Sequence, residues 1–374
     1  MSGCKDELLN FLKKELRELN VVVMPDFFQD RIINLDYNVQ EFNSVVNEIV
    51  NRKGGSVDGI AQTDLRGGNA VNTASALASL GAKVTPIVCT SKFGLEQIRF
   101  HLGQYNIDTS HVKIADKASI TTALEFKTEN GKANVMLRDL GSLADFGPAD
   151  ITDSDWALVE NADYLCLFNW AGTRKFGTQL VETVFRRVKK KGKGKTYYDT
   201  ADPTSNKEKI PELMEKVLKT SNVDILSLNE NEAVSYAALL DTEISEKRER
   251  VRLDGLAMEA ARVLARHLQA RIDLHTTAFS ATVTRKGEVV VPAFKVNALR
   301  ATGAGDAWDA GNIIGDGNAL SDECRLSLAN AVSACYLADS EGTHPTRQKI
   351  VNFVESATST VISVKPNFLS TSKL

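Results

Sequence analysis

Ala301-Thr302-Gly303-Ala304-Gly305-Asp306-Ala307-Trp308-Asp309-Ala310-Gly311 is the stretch on which the fold turns. Small residues let the backbone bend tightly and approach a ligand closely. The small and apolar pattern after Asp306 predicts a helix beginning there. A glycine turn that opens a helix presents free N–H groups and the positive end of the dipole, which is an anion site. A carboxylate in the middle of such a site repels a phosphate at rest unless it has a task, and accepting a proton is one. The competing reading is a Gly/Ala turn capped by Asp, a common helix cap. This segment alone divides the two readings evenly. Trp308 stands where a dinucleotide loop would carry its third glycine, which argues against that loop.

Two further segments extend the pattern. Arg66-Gly67-Gly68-Asn69-Ala70-Val71-Asn72 is a Gly-Gly turn running into a small-residue helix that ends at Gly81. Asn69 and Asn72 are three apart and share a helix face, where two amides could grip hydroxyls or simply cap the helix. Leu228-Asn229-Glu230-Asn231-Glu232-Ala233 follows a short apolar run. Gly194-Lys195-Thr196 resembles the end of a P-loop but fails as one, because Lys189 occupies the first glycine position and the chain beyond reads as strand.

Strands alternate with helices along most of the chain. Val21–Met24, Leu165–Phe168, Lys195–Tyr198 and Asp224–Leu228 read as buried strands, and 281–284 and 288–291 as a hairpin. Residues 178–191, 211–219, 254–269 and 306–357 read as helical, and a helix opens at Glu230. Residues 5–19 carry Leu9, Leu12, Leu16 and Leu19 at helical spacing, giving an amphipathic helix within the N-terminal segment 1–19. Residues 51–68, rich in Gly, Asp and Asn, read as loop. The alternation predicts an α/β fold with a mainly parallel central sheet covered on both faces. Two β-rich stretches, around 30–66 and 113–140, interrupt it and read as an accessory sheet.

Composition narrows the function classes. The 374 residues carry a net charge of −3, which argues against a dedicated nucleic-acid-binding domain and leaves the run Lys189–Lys195 as a solvated helix end. Five cysteines, none in a C-x-x-C pair, and five scattered histidines form neither a disulfide framework nor a zinc spacing. The charged N-terminus is unlike a secretory signal and no run is long enough to span a membrane, so a cytoplasmic protein is expected. Ser372-Lys373-Leu374 spells a peroxisomal address, which applies only if the source is eukaryotic.

The Gly67-Gly68-x-x-x-Asn72 and Thr302-Gly303-Ala304-Gly305-Asp306-Ala307 segments together resemble the two signatures of the PfkB, or ribokinase-like, carbohydrate kinase family. Asn229-x-x-Glu232 is similar to that family's N-x-x-E motif, and the resemblance runs from Val21 to about Glu355. It implies one ribokinase-like, Rossmann-like three-layer α/β/α domain over 1–374, with the two β-rich insertions forming a small β-sheet lid. It implies an ATP-dependent, Mg²⁺-assisted kinase acting on a hydroxyl of a small sugar or sugar-like substrate. Asp306 would be the general base, and Gly303, Ala304 and Gly305 would offer N–H groups to the transferring phosphoryl group. Asp30, Gly67, Gly68, Asn69 and Asn72 would bind substrate, and Arg138 would reach an anionic substrate group or serve as an exposed structural residue. Asn229, Glu232, Thr276 and Asn330 would line the nucleotide site, with Glu232 organising Mg²⁺, directly or through water. Lids in this family often pair, implying a homodimer. A nucleoside kinase, or a catalytically silent sugar- or nucleotide-binding relative, are the alternatives.

The chain departs from the pattern twice. His275–Ala281, where the family carries a glycine-rich nucleotide loop, has no glycine. Arg300 stands where many members carry an Asp that helps to bind a monovalent cation, so its guanidinium is expected to replace that cation.

Overall fold

The computed structural model describes residues 2–129, 131–300 and 302–356. The Ser372-Lys373-Leu374 tripeptide, Asn130 in the hairpin turn and Ala301 lie outside them. Fourteen strands follow in chain order among the described residues. They are β1 (Asn20–Met24), β2 (Phe28–Asn34), β3 (Ala61–Gly67), β4 (Lys83–Pro86), β5 (Cys89–Thr90), β6 (Lys113–Ile114), β7 (Ser119–Thr128), β8 (Gly131–Asp139), β9 (Tyr164–Phe168), β10 (Lys195–Asp199), β11 (Ile225–Leu228), β12 (Arg271–His275), β13 (Phe279–Thr284) and β14 (Gly287–Pro292).

Eight of them form one sheet in the order β14-β13-β12-β11-β10-β9-β1-β4. The six strands from β12 to β4 run parallel, and β13 and β14 add an antiparallel edge. Val21, Val22, Val23 and Met24 are all buried, as a strand covered on both faces requires. The two-residue period splits them between two cores. Val22 and Met24 join the core beneath the helices Asp153–Asn161, Gly177–Lys191, Glu230–Ala237 and Leu253–His267. Val21 and Val23 join the core beneath Asn69–Ser79, Ala304–Gly317, Asp322–Leu337 and Arg347–Ser356. The result is a three-layer α/β/α fold with a mainly parallel sheet.

β1 lies between β4 and β9, so the strand order reverses there. In open α/β sheets the crevice outside such a reversal, at the carboxyl ends of the strands, is where ligands sit. The chain leaves β1 to make β2 and β3 before it returns, and later contributes β7 and β8 to the same second sheet, ordered β3-β2-β7-β8. β2 and β7 are parallel there and the outer pairs antiparallel.

Three local expectations are corrected. The N-terminal helix spans Ser2–Lys13 and stops short of residue 19, because the Arg347 guanidinium takes the carbonyls of Leu12 and Lys14. Leu16 and Leu19 still pack inward, from extended chain. Within the expected 51–68 loop, residues 61–67 form β3, whose mostly exposed AQTDLRG sequence shows no alternation and is organised by its antiparallel pairing with β2. Within the expected β-rich stretch around 30–66, Val39–Asn51 is instead a helix, opened by a reciprocal Asn38–Glu41 capping box, with Phe42, Val45 and Ile49 half-buried along one apolar stripe. His275–Ala281 holds no glycine. It is the tight end of the β12–β13 hairpin, with Thr276 binding both ways across the turn to Phe279.

A buried polar network joins strands β12 and β13 to two helices. Asp273 accepts from Arg325 Nη1 at 3.1 Å, Asn312 Nδ2 at 2.9 Å and Thr282 Oγ1 at 2.7 Å. Burial would raise its carboxyl, but Arg271 and Arg325 outweigh burial and hold it far below the ordinary carboxylate range. No helix among the described residues is long and apolar enough to cross a membrane.

Candidate active site

A cleft of about 730 Å³ opens where the strand order reverses. Of the candidate residues, Asp30, Gly68, Asn69, Asn72, Arg138, Asn229, Glu232, Thr276, Gly303, Ala304, Gly305, Asp306 and Asn330 all line it. Gly67 lies behind the wall, where a Cβ would run into the Asp30 carboxylate. Residues from 30 to 330 thus meet in one place.

Asp306 sits in the first turn of the helix Ala304–Gly317, 4% exposed. Gly303 caps that helix at φ +86°, a left-handed conformation that suits glycine, and a Cβ there would lie 2.7 Å from the Tyr336 hydroxyl. The first N–H groups of a helix have no intrahelical partner, so this turn points donors into the cleft. The Asp306 carboxylate accepts from Asn69 Nδ2 at 2.9 Å and Asn72 Nδ2 at 3.0 Å. The two amides do share a face of the helix Asn69–Ser79, and what they hold is the acid. Burial raises the Asp306 carboxyl well above its ordinary range. Asn72 and Asn69 oppose that rise, and the Asp199 and Asp26 charges add to it.

The helix bearing those amides begins at Gly68 without a side-chain cap of its own. Asp26, just beyond β1, does that work from outside. It accepts from the backbone N–H of Asn69 and of Ala70, both at 2.9 Å, and from Asn169 Nδ2 at 2.8 Å. Neither Asp26 nor Asn169 was singled out in the sequence. The available signal was position: each follows the carboxyl end of a buried strand beside the reversal point.

Asp30 on β2 faces the same cleft with its buried Oδ1 unpartnered. Burial pushes its carboxyl up to about 6, with Thr121 and Arg138 pulling the other way. Arg138 on β8 is exposed and lies over the Phe28 ring at 5.0 Å.

At the other end of the cleft several candidates are already engaged. Asn229 and Glu232 form a reciprocal capping box, and both Glu232 oxygens accept from Asn229, at 2.9 and 2.8 Å. Asn330 gives its amide to the Pro292 carbonyl and takes Ser280 and Trp308 on its oxygen. Thr276 spends its hydroxyl within its own turn. Arg300 donates Nε to the Asp339 carbonyl at 3.0 Å and Nη2 to the Ser340 carbonyl at 2.8 Å, with its guanidinium over the Tyr336 ring.

A cleft at a strand-order reversal, with a buried carboxylate beside a glycine-led helix N-terminus, is the arrangement of a ligand-binding α/β protein. Residues 32–349 match the family model described as pfkB family carbohydrate kinase. A ribokinase from Haemophilus influenzae is 23% identical over 295 residues, covering 78% of this chain and 88% of its own. The structure of an adenosine kinase from Sinorhizobium meliloti superposes with a TM-score of 0.68 at 18% identity, over 91% of this chain and 100% of that one. An Arabidopsis thaliana ribokinase solved with ribose and ATP gives 0.67 at 17% identity, over 91% and 99%. The chain belongs to the pfkB family of carbohydrate kinases and is a phosphotransferase with an alcohol group as acceptor.

The elevated Asp30 carboxyl fixes a sign for pH. A raised carboxyl favours the neutral form in the fold, so burying the charge costs stability that appears above pH 4 and is complete above about 6. Asp30→Asn is therefore expected to stabilise the protein more at pH 8 than at pH 4, by on the order of 2 kcal/mol. Urea unfolding of both proteins at the two pH values measures the difference, and equal midpoint shifts would contradict it.

Proposed function

We propose that the protein transfers the γ-phosphoryl group of ATP to a hydroxyl of a small sugar or sugar-like molecule, with Asp306 as general base. The hydrogen bonds from Asn69 and Asn72 to Asp306 carry this reading. They hold both carboxylate oxygens in place in a buried cleft, while burial raises the group's proton affinity toward the range a base at neutral pH needs. The substrate hydroxyl would lie between Asp306 and Asp30, whose free Oδ1 supplies a further acceptor. Gly303, Ala304 and Gly305 would turn their N–H groups to the transferring phosphoryl group. Gly67 leaves room for the Asp30 carboxylate, and Gly68 for the backbone at Asp26–Phe28.

The Asn229–Glu232 end of the cleft would receive the nucleotide, with Thr276 and Asn330 shaping its wall. Its carboxylates, Asp199, Asp202, Glu230 and Glu232, have a chemistry suited to Mg²⁺-nucleotide, and Glu232 would act on the ion through water because its oxygens are engaged. When bound, Mg²⁺ offsets phosphate charge. A nucleoside acceptor is the second reading, favoured by the similarity to an adenosine kinase structure. Asp306, buried and held by two amides, speaks against a silent relative.

The four-stranded sheet would serve as a lid that excludes water. Met136 and Arg138 of β8 line the cleft, so Val135 and Leu137 face away from it, 46% and 57% exposed. Covering that apolar strip would take a second lid, giving a homodimer. Sedimentation velocity is expected to show a dimer that Leu137→Glu dissociates, and a wild-type monomer at micromolar concentration would remove the proposal.

Coupled phosphoryl-transfer assays with Mg-ATP over ribose, fructose, 2-keto-3-deoxygluconate, myo-inositol, adenosine, cytidine and fructose 6-phosphate test the activity. Turnover on one compound should fall on the order of 10²-fold or more in Asp306→Asn with the fold retained. Near-normal turnover in that variant would refute the base. If the acceptor is anionic, Arg138 is the cation to hold it.

Arg300 already occupies two carbonyls with a permanent positive charge. Activity is therefore expected to be the same in potassium, sodium and tetramethylammonium salts. Activation by potassium would show that the guanidinium does not take the place of a cation.

A further inference from the structure

We propose that Asp199, His275 and Asp309 form a binding site for one first-row divalent transition ion, such as Zn²⁺ or Mn²⁺. One ligand atom from each lies within 4.8 Å of the other two. The residues come from three separate elements: the last residue of β10, the last residue of β12, and the helix Ala304–Gly317 one turn beyond Asp306. Metal–ligand bonds of about 2.0–2.2 Å place neighbouring donors roughly 3–4 Å apart, so small side-chain rotations close the site.

Unused donors point to a ligand. Asp309 is fully buried, and its Oδ2 receives no N–H or hydroxyl and faces the Asp199 carboxylate. Its Oδ1 is fixed by the hydroxyls of Tyr197 and Ser227, each at 2.6 Å. Second contacts of this kind orient metal-binding carboxylates. His275 Nε2 is also unpartnered, and the ring is held beside Trp308 at 5.0 Å between centroids. Asp199 keeps one oxygen on the Ala201 N–H at 2.9 Å.

Charge supplies the driving force. Among the described residues no Lys or Arg forms an ion pair with Asp199 or Asp309. Two neighbouring carboxylates so enclosed need a shared proton or a cation. One imidazole with two carboxylates suits Zn²⁺ or Mn²⁺ better than Mg²⁺, which prefers oxygen ligands and retains its waters. Such an ion would tie the helix carrying Asp306 to two strands of the sheet. Asp199 and His275 also line the cleft given above to the nucleotide, so the ion is tested without one and its binding is read apart from phosphoryl transfer.

The test is isothermal titration of chelator-treated, full-length protein, without nucleotide, using ZnCl₂, MnCl₂ and MgCl₂. The wild type is expected to bind one Zn²⁺ or Mn²⁺ per chain and Mg²⁺ far more weakly. His275→Ala and Asp309→Asn, shown to be folded by circular dichroism, should each weaken binding by roughly tenfold or more. The ion should raise the melting temperature of the wild type but not of the variants. No saturable binding by the folded wild type would overturn the proposal, and so would equal binding by all three proteins. Asp309→Asn stabilising the protein with no ion bound in the wild type would identify a shared proton instead, and would also overturn it.

Discussion

The Asp26 carboxylate is the point on which the cleft depends. Three N–H donors converge on it: two from the start of the helix Asn69–Ser79 and one from Asn169 at the end of β9. A buried anion there is costly, and the helix dipole and three hydrogen bonds offset only part of the cost, since burial still holds the carboxyl above its ordinary range. In return Asp26 fixes the angle at which the helix leaves Gly68, and so where Asn69 and Asn72 project. Those amides fix Asp306. The chain of constraint runs from a strand end, through a helix N-terminus, to an acid more than two hundred residues away in sequence.

The same cleft concentrates unfavourable charge. Asp306, Asp309 and Glu232 are all held above their ordinary range, with burial the largest cause in each and the Asp199 charge contributing to all three. A protein selected for stability alone would not gather so many acids around one buried carboxylate. The layout makes sense when a cation or a proton-donating ligand enters. Strain of this kind concentrates at functional sites and is offset elsewhere in the fold. Here the offset includes the Asp273–Arg325–Asn312 network one layer deeper, where acids and bases are matched.

The fold was legible where burial leaves a periodic mark. Val21–Val23, the helix after Asp306 and the alternation of strands and helices could be read because buried faces must be apolar. Strand β3 could not, because it rests on no core and backbone pairing holds it; the helix Val39–Asn51 does carry an apolar stripe, with Phe42 packed edge-on against Phe126, but it lies inside a stretch whose flanks read as strand. For the site, glycines and amides at fixed spacing marked Asp306, Asn69 and Asn72. Asp26, Asn169, Asp199 and His275 carry no spacing signal, since their neighbours come from distant strands. Thr276 and Asn330 show the opposite limit. Both line the cleft, yet their polar atoms are spent on the turn and on Ser280, Trp308 and Pro292, which a linear motif cannot reveal.

Arg300 shows how a departure from a pattern can be locally consistent. Its guanidinium reaches two carbonyls just past the helix Asp322–Leu337, where carbonyls without intrahelical partners attract positive charge. Gly342 leaves the space: its φ is +73°, and a Cβ there would collide with the guanidinium. Arg66 donates to the Gly342 carbonyl at 3.1 Å and meets His344 Nδ1 at 2.9 Å, while the His344 ring stacks on Tyr336 at 4.6 Å. The Tyr336 hydroxyl in turn donates to the Thr302 carbonyl, directly before Gly303. Two covalently held cations and one aromatic stack therefore brace the turn that opens the Asp306 helix. A dissociable ion would leave that brace dependent on the salt around it, whereas a guanidinium is charged at every physiological pH and cannot leave.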